Sequence, residues 1–405
     1  MTVQHRKFAH VTAEHHLGIS LKRLIAAVPL VIFTVCAPAT SPSPAAAAPD
    51  IGIGEVAAVT PLRPAELMEG AGSGYLITYW TTDEYGAPAL ANGQVYLPPG
   101  DAPSGGWPVI SWGKGTVGIG DQCAMTSTLA AGQADPPAVD MSRPLLSAAL
   151  AAGTAVISTD YIGLGTPAAH HYLNGISEAH AVIDILRAAR REFPQLSTTF
   201  VAAGHSQGGQ AALLANQISD TYATGLDFRG TVAFAPASNS ENVIAALGPE
   251  IPEIPDLTPL TATIVYVLHG LRDARPDLNI GSYLTDYGKQ QITQAEQLCI
   301  MDLRKALNGI PPQRLLSRAL SDAPIAAAIR AYMTVPISGY PHPIFLMQGR
   351  DDTTVRPVIT AVLNAELRAG GVDDIVSQEY PGADHYDIVA HASTDAMNYI
   401  REMLR

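Results

Sequence analysis

Ser206 stands at the centre of Gly204-His205-Ser206-Gln207-Gly208. Small, β-branched and aromatic residues precede it (198–203), and a small, apolar repeat follows (209–218). A strand that turns sharply into a helix at Gly-x-Ser-x-Gly lifts the serine oxygen above a sheet, at the positive end of the helix. Glycines two residues to either side are needed because the turn brings backbones too close for a Cβ. A serine hydroxyl is a weak nucleophile until a base takes its proton, so an imidazole, with a carboxylate to orient it, must come from elsewhere in the chain. Two later loops offer them. Gln348-Gly-Arg-Asp-Asp-Thr-Thr-Val355 follows the apolar run 343–347, and Tyr380-Pro-Gly-Ala-Asp-His385 follows the run 375–380. Asp352 has the Gly-x-x-Asp-x-x-Val spacing that sets a carboxylate at a loop apex; Asp351 is the runner-up. His385 is preferred as base over His391, which falls on the last helical stretch. Asp384 and Asp387 read as a loop cap and a helix N-terminal acid. His205, adjacent to the serine, is expected to pack under the turn.

The chemistry these residues could do is acyl transfer, which also needs donors for a developing oxyanion. One is the backbone N–H of Gln207. The second is expected from the glycine-rich Trp112-Gly-Lys-Gly-Thr-Val-Gly118, at Val117 or Thr116. That stretch also spells Gly113-x-Gly115-x-x-Gly118, but no helix opens at the third glycine, which argues against a dinucleotide site. No cofactor is expected, and no Cys/His spacing resembles a zinc site.

The elements that must position these groups alternate along the chain. Strand-like runs at 74–80, 93–97, 107–112, 154–158, 199–203, 230–235, 343–347 and 375–380 are interleaved with helical patterns at 144–152, 176–192, 206–218, 359–369 and 387–404. Apolar strands alternating with helices predict a mostly parallel sheet covered on both faces. The first two runs lack a helix between them and read as an antiparallel edge. The rhythm stops after Ala237, and residues 238–335 read as short helices between prolines. An insertion that covers the site is the natural use; a structural appendage is the alternative. The expected organisation is 1–48 leader, 49–237 first part of the core, 238–335 helical cap and 336–405 second part of the core.

Residues 1–48 carry Arg6, Lys7, Lys22 and Arg23, an apolar stretch from 24 to 37, and Ala-x-Ala positions after Ser41. This is the pattern of a secretory signal peptide. The stretch contains Pro29 and is too short to span a membrane. A lipid anchor at Cys36 is disfavoured by Val35, where processing wants a small residue. Taking four basic residues and one acid (Glu14) from totals of 24 and 37 leaves a net charge of −16. So acidic a surface argues against nucleic acid and anionic membranes. Only 15% of residues are charged and 47% are hydrophobic, enough to bury a large core. Cys123 and Cys299 remain after export, an even pair expected to bridge; two buried free thiols are the alternative.

Taken together, these segments resemble the secretory lipase family, capped enzymes of the α/β-hydrolase fold found in fungi and actinobacteria. The resemblance is carried by Val109-Ile-Ser-Trp-Gly-Lys-Gly-Thr-Val-Gly118 with Cys123, and by Thr159-Asp-Tyr-Ile-Gly-Leu-Gly-Thr-Pro167. His171-Tyr-Leu-Asn-Gly-Ile-Ser-Glu-Ala179, Gly204-His-Ser-Gln-Gly-Gly209 and the Asp352 and His385 loops complete it. It implies a Ser206/Asp352/His385 triad, an oxyanion hole from Thr116–Val117 and Gln207, a helical cap over an acyl pocket, and a Cys123–Cys299 bridge from cap to core. Many members have His-Gly where this chain has Lys114-Gly115. Asp160 and Glu178 lie in matching segments but outside the triad, and buried hydrogen bonding is expected of them. The implied activity is lipid degradation by hydrolysis of acylglycerols or other fatty-acyl esters. The expected partner is a lipid or small-molecule ester, met at most transiently at a lipid interface, by an enzyme taken as a monomer. A serine exopeptidase, an acyltransferase and an inactive hydrolase-like binder are the other readings.

Overall fold

The computed structural model describes residues 52–132 and 141–405. The signal-peptide reading of residues 1–48 lies outside them. A nine-stranded sheet runs through the molecule in the order β1-β2-β3-β5-β4-β6-β7-β8-β9. Its strands are β1 (Val56–Pro61), β2 (Ser73–Thr82), β3 (Pro88–Leu97), β4 (Trp107–Gly113) and β5 (Ala155–Ile162), then β6 (Leu196–His205), β7 (Asp227–Phe234), β8 (Ile344–Gly349) and β9 (Ile375–Tyr380). Pairings from β1 through β3 to β5 are antiparallel, and all those from β5 to β9 are parallel.

The two faces are read directly from the alternation of the strands. Val109, Ile157, Phe200 and Ala202 join one core. It is closed by α3 (Gly175–Glu192) and α4 (Gln207–Tyr222), with Leu363 and Leu367 of α10 (Pro357–Ala369). Ile110, Val156, Val201 and Ala203 join the opposite core. It is closed by α2 (Arg143–Ala151), α11 (Ile388–His391) and α12 (Ser393–Met403). A short helix, α1 (Met125–Ala130), follows β4.

Two expectations are corrected. The sequence reading began the sheet at β2, whereas β1 pairs outside it. Four of the six β1 residues are exposed and the pairing carries an irregularity after Val56, so this edge strand shows no apolar alternation. The last helical stretch is also two helices rather than one, meeting at fully buried Ala392.

Between β7 and β8 the chain is helical: α5 (Ser240–Ala245), α6 (Thr261–Ala274), α7 (Asp286–Ala295), α8 (Ile300–Ala306) and α9 (Ala323–Met333), with 3-10 turns between. These helices build a core of their own around Ile264, Leu268, Leu303 and Ile329. It takes in Ile119, Tyr172 and Leu173 from the loops after β4 and β5. Cys123 and Cys299 are bonded, joining the loop after β4 to the start of α8. Among the described residues no helix is long and apolar enough to cross a membrane.

The cystine closes a loop of 176 residues. Chain-entropy arguments give such a cross-link up to ~5 kcal/mol of stability. The double variant Cys123→Ala/Cys299→Ala is therefore expected to lower the urea midpoint, with a loss of unfolding free energy no larger than that. An unchanged midpoint would show that the bridge does not constrain the unfolded chain.

Candidate active site

Ser206 sits between the last residue of β6 and the first of α4, with φ 55° and ψ −115°. For a residue with a Cβ this is strained, at about 1–3 kcal/mol. The surroundings hold it there. Its N–H donates to the Phe234 carbonyl (2.9 Å), and its own carbonyl accepts from Gln210 and Ala237. A Cβ on Gly204 would strike the Gly208 carbonyl, and one on Gly208 would strike the Gly113 carbonyl. Both elbow glycines are therefore fixed by close backbone approach. The same approach lays the loop after β4 against the elbow.

His385 Nε2 lies 3.1 Å from Ser206 Oγ, and His385 Nδ1 lies 2.7 Å from Asp352 Oδ2. All three residues are buried. Asp352 is held on both oxygens. Oδ1 accepts the N–H groups of Thr354 (2.7 Å) and Val355 (2.8 Å), and Oδ2 accepts from Gln348 Nε2 (3.3 Å). With Nδ1–H donating to the carboxylate, Nε2 is the acceptor facing the hydroxyl. Asp351 is exposed, and its N–H is spent on the Ala383 carbonyl, a bond that ties the two loops together. Asp384 accepts from the N–H groups of Tyr386 and Asp387, and Asp387 Oδ1 accepts from the N–H of Asp384. These reciprocal caps brace His385. His391 is exposed on α11 and takes no part.

His205 is buried with its ring 4.6 Å from that of His385, and burial pushes its pKa well down. It therefore packs as a neutral ring. Gly115 leaves room for it, since a Cβ there would lie 2.9 Å from His205 Nδ1. In the loop after β4, Thr116 Oγ1 meets the Tyr172 hydroxyl at 2.7 Å, and the Val117 carbonyl accepts from the N–H of Ile300 at the start of α8. Gln207 is buried at the first position of α4.

Lys114 is buried and donates to Asp160 Oδ1; Asp160 Oδ2 accepts from Thr126 N (2.9 Å) and Oγ1 (2.6 Å). Burial lowers the Lys114 pKa, and the Asp160 charge opposes that fall. Lys114 thus serves a buried ion pair beside the elbow, not the Ser206–His385–Asp352 chain. Glu178 accepts from Leu173 N–H and from Gln207 Nε2.

Two residues escaped the sequence reading. Arg304 on α8 donates to the Tyr386 hydroxyl, and its guanidinium lies 5.9 Å from that ring's centre. They border a cleft of about 540 Å³ lined also by Pro255, Leu307, Thr353 and Thr354. Tyr386 and Thr353 are chain neighbours of His385 and Asp352, so the cleft opens beside the hydrogen-bonded chain. Only Tyr386's adjacency to His385 could have signalled it. Among the described residues no group of His, Cys, Asp and Glu could hold a metal ion.

Residues 131–313 match the family model of secretory lipases, which bears out the resemblance read from the motifs. No curated protein matches the sequence. Among solved structures, Candida antarctica lipase A in its closed state superposes with a TM-score of 0.69 at 18% identity, over 87% of this chain and 83% of that one. The rice cell wall degrading esterase LipA of Xanthomonas oryzae, in a ligand-bound form, also gives 0.69 at 18% identity, over 87% of this chain and 100% of that one. A putative hydrolase of Legionella pneumophila gives 0.65 at 15% identity, over 87% and 98%. These likenesses establish the α/β-hydrolase fold. With the family match, the chain is an ester-hydrolysing enzyme of the lipase and esterase kind.

Breaking a buried pair by removing one partner costs about 3–5 kcal/mol, because the other charge is left uncompensated. Lys114→Met is therefore expected to destabilise the fold by about that amount. In an Asp160→Asn background the same change should cost clearly less. Urea unfolding of the two single variants and the double variant measures the coupling; additive costs would mean that the pair is not coupled.

Proposed function

We propose that the protein is a secreted serine ester hydrolase that works through a Ser206–His385–Asp352 triad. The observation that carries the reading is the unbroken hydrogen-bonded path from the Ser206 hydroxyl through the His385 ring to Asp352. His385 Nε2 takes the hydroxyl proton as Ser206 Oγ bonds to the ester carbonyl carbon. The same proton then passes to the departing alcohol, which leaves an acyl-enzyme. Water, deprotonated by His385, attacks that ester; Ser206 regains its proton and the acid is released. Asp352 keeps the ring in the required tautomer and offsets the imidazolium charge. The Gln207 N–H and an amide at Thr116 or Val117 receive the oxyanion, each donor being worth ~10²–10³ in rate.

The helices between β7 and β8 serve as the cap, residues 238–335. The cleft that they share with Thr353, Thr354 and Tyr386 has prolines and Leu307 on one side. Thr258, Arg304 and Asn308 line it too and Ser206 does not, so an acylglycerol or other fatty-acyl ester as substrate is supported by the family match rather than by this cleft. Export is supported by the family match and by the cystine, which needs an oxidising compartment.

Ser206→Ala is expected to abolish turnover of short p-nitrophenyl esters and labelling by a fluorophosphonate, without loss of fold. Activity retained in the pure variant would refute the assignment, and a wild-type protein that does not label would be a binder. An acyl-chain-length series, with and without a lipid interface, should favour medium or long chains. An optimum at the shortest chains would make the enzyme a carboxylesterase, and exclusive cleavage of peptides would replace the ester reading.

A further inference from the structure

We propose that Glu178 is a positioning residue for the oxyanion hole, acting through the Gln207 side chain to fix the backbone amide that follows the nucleophile. The inference rests on the reading of Ser206 as nucleophile and Gln207 N–H as oxyanion donor.

The Gln207 carboxamide is held at both of its hydrogens. Nε2 lies 2.7 Å from Glu178 Oε1 and 3.0 Å from His170 Nε2. A primary amide has two N–H groups, so neither is left over. His170 Nδ1 faces the Ile162 carbonyl at 2.9 Å, so that nitrogen carries the proton and Nε2 accepts from Gln207. Glu178 Oε1 accepts a second bond, from Leu173 N–H at 2.9 Å. Gln207, Glu178 and His170 are each at most 2% exposed, so no water can substitute for a lost partner without rearrangement. The amide cannot rotate without breaking both bonds, and Gln207 is the first residue of α4, where its backbone N–H has no helical partner. The Ser206 carbonyl, in the same peptide plane, is already held by the N–H groups of Gln210 and Ala237, so the side-chain bonds add a second restraint at the other side of the Gln207 Cα. Catalytic donors must be kept within about half an ångström.

The same short loop braces the opposite side of the site. Residues 170–174 carry His170, which meets Gln207, and Tyr172, which meets Thr116. Both proposed oxyanion donors thus lean on one segment, and Glu178 pins its Leu173 N–H.

The charge state of Glu178 supplies a signature that packing alone would not. Among the described residues Oε2 is buried without a hydrogen-bond partner. Burial pushes its pKa up to about 8 against the pull of the two N–H donors. The titratable groups facing it are His170 and Tyr172 from the loop, Tyr161 at the end of β5 and Tyr332 on α9. Burial lowers the His170 pKa to about 3 and raises that of Tyr172 to about 12. It also raises those of Tyr161 and Tyr332. All four are uncharged at neutral pH. Glu178 is accordingly a neutral acid below about pH 8, with Oε1 as its carbonyl acceptor. Above that pH it becomes a desolvated anion one side chain away from a site that must stabilise a second negative charge. The rate should fall there.

The test is kcat and KM for p-nitrophenyl butyrate across roughly pH 6 to 9.5, corrected for spontaneous hydrolysis, on the whole mature enzyme. Wild type, Glu178→Gln and Glu178→Ala are compared, with thermal unfolding and fluorophosphonate labelling of each. Glutamine keeps the carbonyl acceptor and cannot ionise. Glu178→Gln should stay within about threefold of wild-type kcat at pH 7 and lose the alkaline fall. Glu178→Ala should lower kcat roughly tenfold to a hundredfold with KM little changed. A wild-type kcat in Glu178→Ala, or an alkaline fall that persists unaltered in Glu178→Gln, overturns the proposal. If the alanine variant does not fold, the glutamine pH profile decides alone. A wild type that does not label sinks the serine reading and this proposal together, whereas a labelled wild type with an indifferent Glu178 series sinks only this one.

Discussion

At the top of β6 the backbones of Gly113, Gly204 and Gly208 pass so close that a methyl group on any of them would collide with a neighbouring carbonyl. This contact constrains everything around it. Gly113 and Gly204 are register partners in the parallel pair of β4 and β6, so the close approach is set by the sheet itself. The chain must then reverse from strand to helix within one residue, and Ser206 takes a positive φ to do so. The hydroxyl ends above the carboxyl ends of the parallel strands, where β8 and β9 deliver the loops of Asp352 and His385. A crevice at the carboxyl ends of parallel strands is where α/β sheets gather groups from distant parts of a chain.

The polar groups around the elbow are buried, and the chain meets that cost by pairing them. Lys114 is answered by Asp160, and Asp160 in turn by Thr126. The Lys114 carbonyl accepts from the Tyr161 hydroxyl. Gln207 is answered by Glu178 and His170. The loops after β4 and β5 thereby form a braced floor. The helices between β7 and β8 rest on that floor through Tyr172, Leu173 and Ile119, and through the ring of Tyr266 set edge-on against Tyr172. The cystine fastens the same two regions covalently.

Much of the architecture was legible because it is local. Strands β2 to β8 announce themselves as apolar runs, and the change from strand to helical rhythm after residue 237 marks where the sheet is interrupted. The spacing around Asp352 separated it from Asp351, since only the loop apex has the Thr354 and Val355 amides within reach. Legibility failed where a signal depends on what lies across space. Edge strand β1 buries too little to need an apolar face. Arg304 and Tyr386 are 82 positions apart and meet only because α8 folds over the His385 loop.

By itself the sequence determined which residue is the strained serine, which loops end in a carboxylate and an imidazole, and which cysteines can pair. Each of these is written in spacing, turn chemistry or residue count. Only the tertiary structure decided what the remaining buried polar groups do. Lys114 and His170 carry no local mark of their roles, and for Asp160 and Glu178 buried hydrogen bonding was expected without its partners; those are set by which loops the sheet brings side by side. Burial then makes each pairing obligatory, because a polar group withdrawn from water has no other way to recover its hydrogen bonds.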